Sequence, residues 1–176
     1  MNAIDSLFNT LTTLQARKKL PPVEQWQPDH AGSIDISINN DGEWFHEGSK
    51  IKRQSLVDLF ATILRREGDN YYLVTPAEKM AIQVADVPFI ATDLDVRGSG
   101  KDTELLFTTN VGDYVMAGAG NHVVMRDERP YLHIRNGLEA RLTRNVYYRL
   151  IEHGIEEAGH LYVYSQGQPF DLGLIN

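Results

Sequence analysis

Two stretches of this chain, residues 51–72 and 142–163, match each other at a constant offset without a gap. Four of the 22 positions are identical, which alone proves little, but the identities fall where the same structural feature recurs. In each stretch an apolar stripe with helical spacing precedes a glycine, and a tyrosine in a strand-like run follows. The identical pairs are Arg53 with Arg144, Leu59 with Leu150, Gly68 with Gly159 and Tyr71 with Tyr162.

Each stretch also follows a strand pattern and a tight turn. Isoleucines at every second position of residues 34–38 predict a half-buried strand, an Asn-Asp-Gly turn follows at 40–42, and residues 43–46 return. Strand patterns at 131–135 and 138–142 enclose an Asn-Gly turn in the same way. We therefore predict two related strand-turn-strand-helix-strand units produced by internal duplication. Two motifs that arose independently are the alternative.

The remaining patterns are short apolar runs separated by proline, glycine and acidic residues, as in a meander of strands. Helical spacing predicts helices over residues 49–67 and 145–157, the first of them ended by Gly68. The predicted fold class is α+β with mostly antiparallel sheets. The further strands are expected at residues 71–74, 80–84, 89–96, 104–109, 114–116, 122–125 and 161–164.

The first 20 residues place apolar side chains on one face of a helix, and Pro21-Pro22 ends that pattern. This predicts an N-terminal amphipathic helix over residues 1–20, which either packs on its own domain or docks on a partner. We expect a linker over 21–32, an N-terminal α+β domain over 33–86 and a C-terminal β-rich domain with a helix over 87–176. The apolar residues of the helix are Ile4, Leu7, Phe8, Leu11 and Leu14.

The charge balance argues against nucleic acid as a partner. The net charge is −7 and the pI is near 5.3, whereas binding to phosphates needs a basic face. The sequence contains no signal-peptide pattern and no apolar run of the roughly 18 residues that would indicate a membrane span. We therefore expect a cytoplasmic protein with no membrane partner. The absence of cysteine excludes disulfides, thiolate nucleophiles and cysteine-based metal sites.

Two polar motifs are similar to ligand sites but favour plain turns. Residues 97–103, RGSGKDT, resemble a nucleotide-binding P-loop, yet Asp95 stands where the first glycine is needed and Asp102 follows the lysine. In residues 41–48, DGEWFHEG, strand alternation points both glutamates away from His46, so a turn and strand are favoured over a metal site. We predict no metal or cofactor. The sequence contains no GxSxG motif that would favour a hydrolase.

A series of motifs between residues 33 and 90 resembles one known family. The series consists of DGxWxxEG, Arg-x-x-Leu-x-x-Leu-Phe, Tyr-x-Leu-Val-Thr-Pro-x-Glu-Lys and Asp-x-Pro-Phe. It resembles the uncharacterised proteobacterial proteins of domain-of-unknown-function family 1285, over most of the chain from about residue 22. The resemblance implies a duplicated α+β core with a C-terminal half similar to pleckstrin-homology folds. It also implies a site for a nucleotide-like ligand between the two halves and a role in signalling.

The repeat also draws attention to basic residues at the predicted helix starts. A cation is slightly unfavourable there because of the helix dipole, so Arg53 and Arg144 are expected to serve another purpose. A cationic surface for an anionic ligand is one purpose, and salt bridges to the many acidic residues are the other. The candidate ligand-binding residues are Arg53, Arg65, Arg66, Tyr71, Lys79 and Arg144.

Three functions remain open at this point. The first is a non-catalytic ligand-sensing or signalling protein that binds a small anionic, nucleotide-like molecule between its halves. The second is a protein-interaction module that uses a sheet edge or the N-terminal helix. The third is an enzyme of unrecognised type, which would need titratable groups that converge in a pocket.

Overall fold

The computed structural model of the chain describes residues 20–175. Within these residues the chain divides into two compact units. The N-terminal unit consists of residues 20–88 and 136–138, and the C-terminal unit of residues 89–135 and 139–175. The predicted helix over residues 1–20 lies outside the described residues, apart from Leu20. None of the helices within the described part of the chain has the length and apolar character that a membrane span requires.

The N-terminal unit is built on a six-stranded sheet with strand order β3-β2-β1-β6-β5-β4. The central strands β1 and β6 run parallel, and the other neighbours are antiparallel. A parallel pair needs a long connection between its strands, and the helix α1 (Gln54–Thr62) lies within that connection. The strands are β1 (His30–Ile38), β2 (Trp44–His46), β3 (Ser49–Lys50), β4 (Leu64–Glu67), β5 (Asn70–Val74) and β6 (Glu78–Val84).

Trp44 lies in the core of the N-terminal unit. Its side chain is 1% exposed and stacks on Phe60 of α1, with ring centroids 6.0 Å apart. The helix also buries Val57 and Ala61, so the apolar stripe seen in the sequence faces the core. Trp44 belongs to the polar segment 41–48, which forms the predicted turn and strand. Before the sheet, within the predicted linker, Val23–Gln25 forms a short 3₁₀ helix.

The C-terminal unit contains a second six-stranded sheet with strand order β10-β11-β12-β7-β8-β9 and a separate antiparallel sheet β13-β14-β15. Its parallel pair is β12 with β7. The helix α2 (Arg144–Ile151) follows β12 directly. The strands are β7 (Phe89–Arg97), β8 (Glu104–Thr109), β9 (Tyr114–Met116), β10 (Val123–Arg126), β11 (Arg129–Arg135), β12 (Leu138–Leu142), β13 (Ile155–Glu157), β14 (His160–Ser165) and β15 (Gln168–Leu174).

The α+β class and the two related halves are confirmed by these two similar six-stranded sheets. Each sheet joins two three-stranded meanders through one parallel pair, β1 with β6 and β7 with β12. Each helix also lies between two meanders in the chain. The aligned glycines have the same role, because Gly68 (φ 62°) and Gly159 (φ 81°) lie in the turns β4–β5 and β13–β14.

The predicted helix bounds, 49–67 and 145–157, were wrong at their ends. The helices end at Thr62 and Ile151, and the residues that continue the apolar pattern form β4 and β13. Those strands form hairpins with β5 and β14, so their backbone groups bond across two-residue turns, a pairing that helical spacing does not reveal. Gly68 therefore belongs to a strand turn and does not end a helix.

Candidate functional site

A basic cleft of the C-terminal unit lies where β12 ends and α2 begins. It has a volume of about 430 Å³, and three arginines line it. Arg129 is the first residue of β11, Arg141 lies near the end of β12, and Arg144 is the first residue of α2. All the lining residues belong to the C-terminal unit. Three guanidinium groups in one cleft form a binding surface for phosphate or carboxylate.

Local sequence explains how these residues reach the cleft. The turn between β10 and β11 consists of Asp127 and Glu128. Both have positive φ angles, 50° at Asp127 and 63° at Glu128. This turn places Glu128 at the cleft beside Arg129. On the other side, Thr143 is the N-cap of α2, because its Oγ1 accepts a hydrogen bond from the Val146 amide at 3.2 Å. The helix therefore begins at Arg144.

The lining of the cleft contains three arginines and one carboxylate, so positive charge is in excess there. Among the described residues, neither Arg129 nor Arg144 has a carboxylate within ion-pair distance. Glu139, two residues before Arg141 on β12, is held by Arg126 through two hydrogen bonds of 2.8 and 2.9 Å. The result is a local excess of positive charge in a chain whose net charge is −7.

Two tyrosines of α2 form an aromatic wall of the same cleft. The rings of Tyr147 and Tyr148 are tilted by 36°, with centroids 6.5 Å apart. Tyr147 is half-buried, and this burial raises the pKa of its phenol above the usual range. Tyr148 is 56% exposed and leaves much of its side chain accessible to a ligand. The cleft therefore combines cationic groups with neutral aromatic ones.

Of the six predicted site residues, Arg144 lies in this cleft and the other five belong to the N-terminal unit. Arg65 is buried and donates to the carbonyl groups of Val23 and Trp26 at 3.0 and 2.7 Å. Arg65 and Lys79 both bond to Glu67. Burial works to raise the pKa of Glu67, but the hydrogen bonds from Lys79 and Arg65 outweigh it and lower that pKa.

The structure also brings Arg66 and Tyr71 together. The Arg66 guanidinium lies 5.7 Å from the centre of the Tyr71 ring, and it donates to the carbonyl groups of Gly68 and Gly137. Arg53 is the N-cap of α1, is exposed, and makes no capping hydrogen bond through its side chain. Four of the five predicted residues in this unit thus have partners in the protein itself.

The sequence patterns did not point to Arg129, Arg141, Glu128 or the two tyrosines. One signal could have found Arg129. A two-residue turn at 136–137 places residue 135 opposite residue 138, and continuing this hairpin register along both strands places residue 129 opposite residue 144. Arg141 and the tyrosines lie within three or four residues of Arg144 in the sequence. No comparable signal marks Glu128, because its position depends on the conformation of the β10–β11 turn.

The two polar motifs singled out in the sequence form turns and strands. Residues 97–103 connect β7 to β8 as an antiparallel hairpin, as predicted. In the other motif, hydrogen bonds from Lys50 and Asn39 lower the pKa of Glu43. The prediction that both glutamates point away from His46 was wrong for Glu47, whose Oε1 lies 3.9 Å from Nε2 of His46, because Glu47 lies in the turn after β2 with a φ angle of 49°. Within residues 20–175 no group of three or more His, Cys, Asp or Glu side chains is arranged to hold a metal ion.

Comparison with known families decides where this fold belongs. Residues 21–87 match the N-terminal domain of a domain of unknown function, DUF1285, and residues 88–172 match the C-terminal domain of the same family. The chain belongs to the DUF1285 family. The resemblance drawn from the motifs between residues 33 and 90 is thereby confirmed.

Two DUF1285 proteins of known structure are similar to this chain. The protein from Silicibacter pomeroyi DSS-3 is 41% identical, with a TM-score of 0.84 over 94% of this chain and 95% of that one. The protein from Shewanella baltica OS155 is 29% identical, with a TM-score of 0.56 over 67% of this chain and 91% of that one. No curated protein matches the chain. The comparisons therefore show the family and the fold of this DUF1285 protein.

Proposed function

We propose that this DUF1285 protein is a non-catalytic binding protein that senses a small anionic ligand, which it holds with Arg129, Arg141 and Arg144. The observation that carries the proposal is that three arginines line one cleft, two of them without a carboxylate partner among the described residues. Like charges held close together repel each other. An anion in the cleft reduces that repulsion. Binding is therefore favoured both by the attraction between the anion and the arginines and by the reduced repulsion among the arginines.

The chemistry of the lining favours phosphate or carboxylate groups on a small organic molecule. A guanidinium group offers a planar fork of donors that matches either anion bidentately. Tyr147 and Tyr148 add aromatic faces on which a planar ring can stack. A nucleotide-like molecule has both features, and the cleft of about 430 Å³ falls within the usual range for small-molecule sites.

Binding rather than catalysis is proposed because the cleft holds a single carboxylate, that of Glu128, and its arginines and tyrosines are poor proton acceptors near neutral pH. Arginine retains its proton throughout the physiological range. Burial moves the pKa of Tyr147 further above neutrality, which makes its phenolate rarer. Neither group can accept a proton efficiently under these conditions. The signalling role, the cytoplasmic location and the pleckstrin-homology likeness of the C-terminal half remain predictions.

The test compares two arginines that the internal repeat makes equivalent. Wild-type protein, Arg144→Ala and Arg53→Ala would each be titrated with inorganic phosphate, pyrophosphate and adenosine monophosphate by calorimetry, with melting temperatures as a fold control. We expect at least one of these probes to bind. Because an arginine–anion hydrogen bond contributes about 1.5–3 kcal/mol, Arg144→Ala should weaken binding roughly ten- to hundredfold.

The control variant makes the result specific to the cleft. Arg53 is exposed at the start of α1 and belongs to the other unit, so Arg53→Ala should bind the probes as the wild type does. Equal loss in both variants would indicate a non-specific charge effect and contradict the proposal. Absence of binding by the wild type to the whole panel would also contradict it, and would favour a protein-interaction function.

A further inference from the structure

We infer that the ligand of the cleft also carries a protonated amine, which is bound by Glu128. This inference rests on the proposed function and specifies the class of its ligand: a small molecule with an anionic group of charge near −2 and one ammonium group. The observation behind it is that one carboxylate lines a cleft that is otherwise cationic. Such a carboxylate repels a simple anion, so a ligand that carries an ammonium group beside its anionic group should bind more tightly than phosphate alone.

Glu128 lies beside arginines in the cleft without pairing with them. Among the described residues, Glu128 forms no ion pair with Arg129, Arg141 or Arg144, although all four side chains line one cleft. Its carboxylate is therefore available to a ligand and is not consumed in neutralising the arginines. An ammonium group is the ligand group that best matches such a carboxylate, because both partners are charged and the hydrogen bond is charge-assisted.

The backbone at Glu128 adopts a left-handed conformation that favours glycine. The residue has a φ angle of 63° and follows Asp127, which has a φ angle of 50°. Two-residue turns of this kind favour Asn-Gly or Asp-Gly, and a residue with a long side chain is disfavoured at the second position. Glycine there would relieve the strain but would remove the carboxylate. A residue with a carboxylate thus lines the cleft at a backbone position that glycine would occupy with less strain.

The charges of the cleft then indicate how the ligand is charged. Three guanidinium groups face one carboxylate, so a complementary ligand has more negative than positive charge. A phosphate ester with an amine, or an amino acid with two carboxylates, satisfies this requirement. The exposed ring of Tyr148 also suits a cation, because the face of an aromatic ring attracts an ammonium group.

The experiment uses pairs of probes that differ by the amine alone. O-Phosphoethanolamine would be compared with ethyl phosphate, and L-glutamate with glutarate, which separates phosphate from carboxylate ligands. Wild-type protein, Glu128→Gln and Asp127→Asn would be titrated by calorimetry. Asp127 is the matched control, since it is the other acid of the turn, also has a positive φ angle, and does not line the cleft.

The expected result is that wild-type protein binds the amine-containing member of at least one pair tenfold or more tightly than its counterpart. This preference should disappear in Glu128→Gln and persist in Asp127→Asn. If Glu128→Gln bound both members of a pair more tightly than the wild type by the same factor, Glu128 would act only by repelling anions. That result would overturn the inference. Binding of ethyl phosphate or glutarate without any amine preference would overturn the inference alone and leave the proposed function standing. No binding of any probe would overturn both.

Discussion

At the scale of single residues, Asp93 and Asp95 show how the surroundings of a side chain set its contribution to stability. The two lie two residues apart on β7. Arg149 donates a hydrogen bond of 2.6 Å to Asp93, and this bond is the main cause that lowers the pKa of Asp93. Asp95 is half-buried, and burial, together with the charge of Asp93, raises its pKa. Neighbouring carboxylates thus have opposite effects on folding.

We predict that Asp93→Asn lowers the free energy of unfolding at pH 7 and that Asp95→Asn raises it. A depressed pKa stabilises the fold above the unfolded-state value near 3.9, and this contribution is lost as the pH falls through the folded-state pKa. A raised pKa does the reverse, since its contribution exists at low pH and is lost as the pH rises through the folded-state value. Urea unfolding at pH 7 should show changes of a few tenths to about 1 kcal/mol.

The same comparison at low pH supplies the control for these two substitutions. Below both folded-state pKa values the carboxyls are neutral, so each variant should approach the stability of the wild type. Two substitutions with the same sign at pH 7 would contradict the assignment. A pH-independent difference would show that the lost interaction is not electrostatic.

At the scale of elements, the hairpin between β7 and β8 depends on a glycine that no other residue can replace without strain. Gly98 has a φ angle of 80°, and a Cβ atom there would lie 2.4 Å from the backbone oxygen of Asp102. Gly100, in the same connection, has a φ angle of 58° but would meet nothing within 4 Å. The positive φ angle disfavours a side chain at both positions. Of the two, only Gly98 would also bring a Cβ atom into a clash with the backbone.

We predict that Gly98→Ala destabilises the protein more than Gly100→Ala does. The left-handed conformation costs alanine about 1–2 kcal/mol at either position, and the clash at Gly98 adds to that cost because backbone atoms must move. Urea unfolding of the two variants measures the difference directly. Equal losses of stability would show that the hairpin adjusts around the new Cβ atom, and would contradict the prediction.

Elements also show where prediction from sequence succeeded and where it failed. The alternation of isoleucines in residues 34–38 and the Asn-Gly turn at 136–137 are local signals, and both predicted the observed strands and turn. The stripe that predicted a helix to Glu67 continues through Leu64, yet Leu64 lies opposite Leu73 in β5. That pairing belongs to a hairpin with a two-residue turn at Gly68 and Asp69, and the prediction missed it because Gly68 was taken as the end of a helix.

Some residues of the cleft could be predicted from local sequence signals, and others could not. Arg144 was predicted because the repeat aligns it with Arg53 at a helix start, which is a local signal. Arg129 belongs to a different strand, so its approach to the cleft depends on the register of β11 and β12. Predicted residues such as Arg65 proved to have partners in the fold, because a list of cations does not show which acids they meet.

At the scale of the whole molecule, duplication explains the repeated plan of the chain. Each six-stranded sheet joins two meanders through a parallel pair, and the aligned segments 51–72 and 142–163 each contain a helix and the two strands after it. The copies differ in their helix starts. Arg53 makes no capping hydrogen bond at α1, whereas Thr143 caps α2 and is followed by Arg144. The proposed binding function belongs to the second copy, where the cleft adjoins the capped helix.

The measurement that tests this account most directly is a ¹H–¹⁵N NMR titration of the labelled protein with pyrophosphate. The account predicts dose-dependent shifts of the amide signals of residues 128, 129 and 141–148, with much smaller shifts for residues 53–56 at the equivalent start of α1. Arg144→Ala should abolish the shifts at equal pyrophosphate concentration. Shifts that centre on Arg53, Arg66 or Lys79, or that spread evenly over all exposed basic residues, would contradict the assignment of the cleft as the anion site.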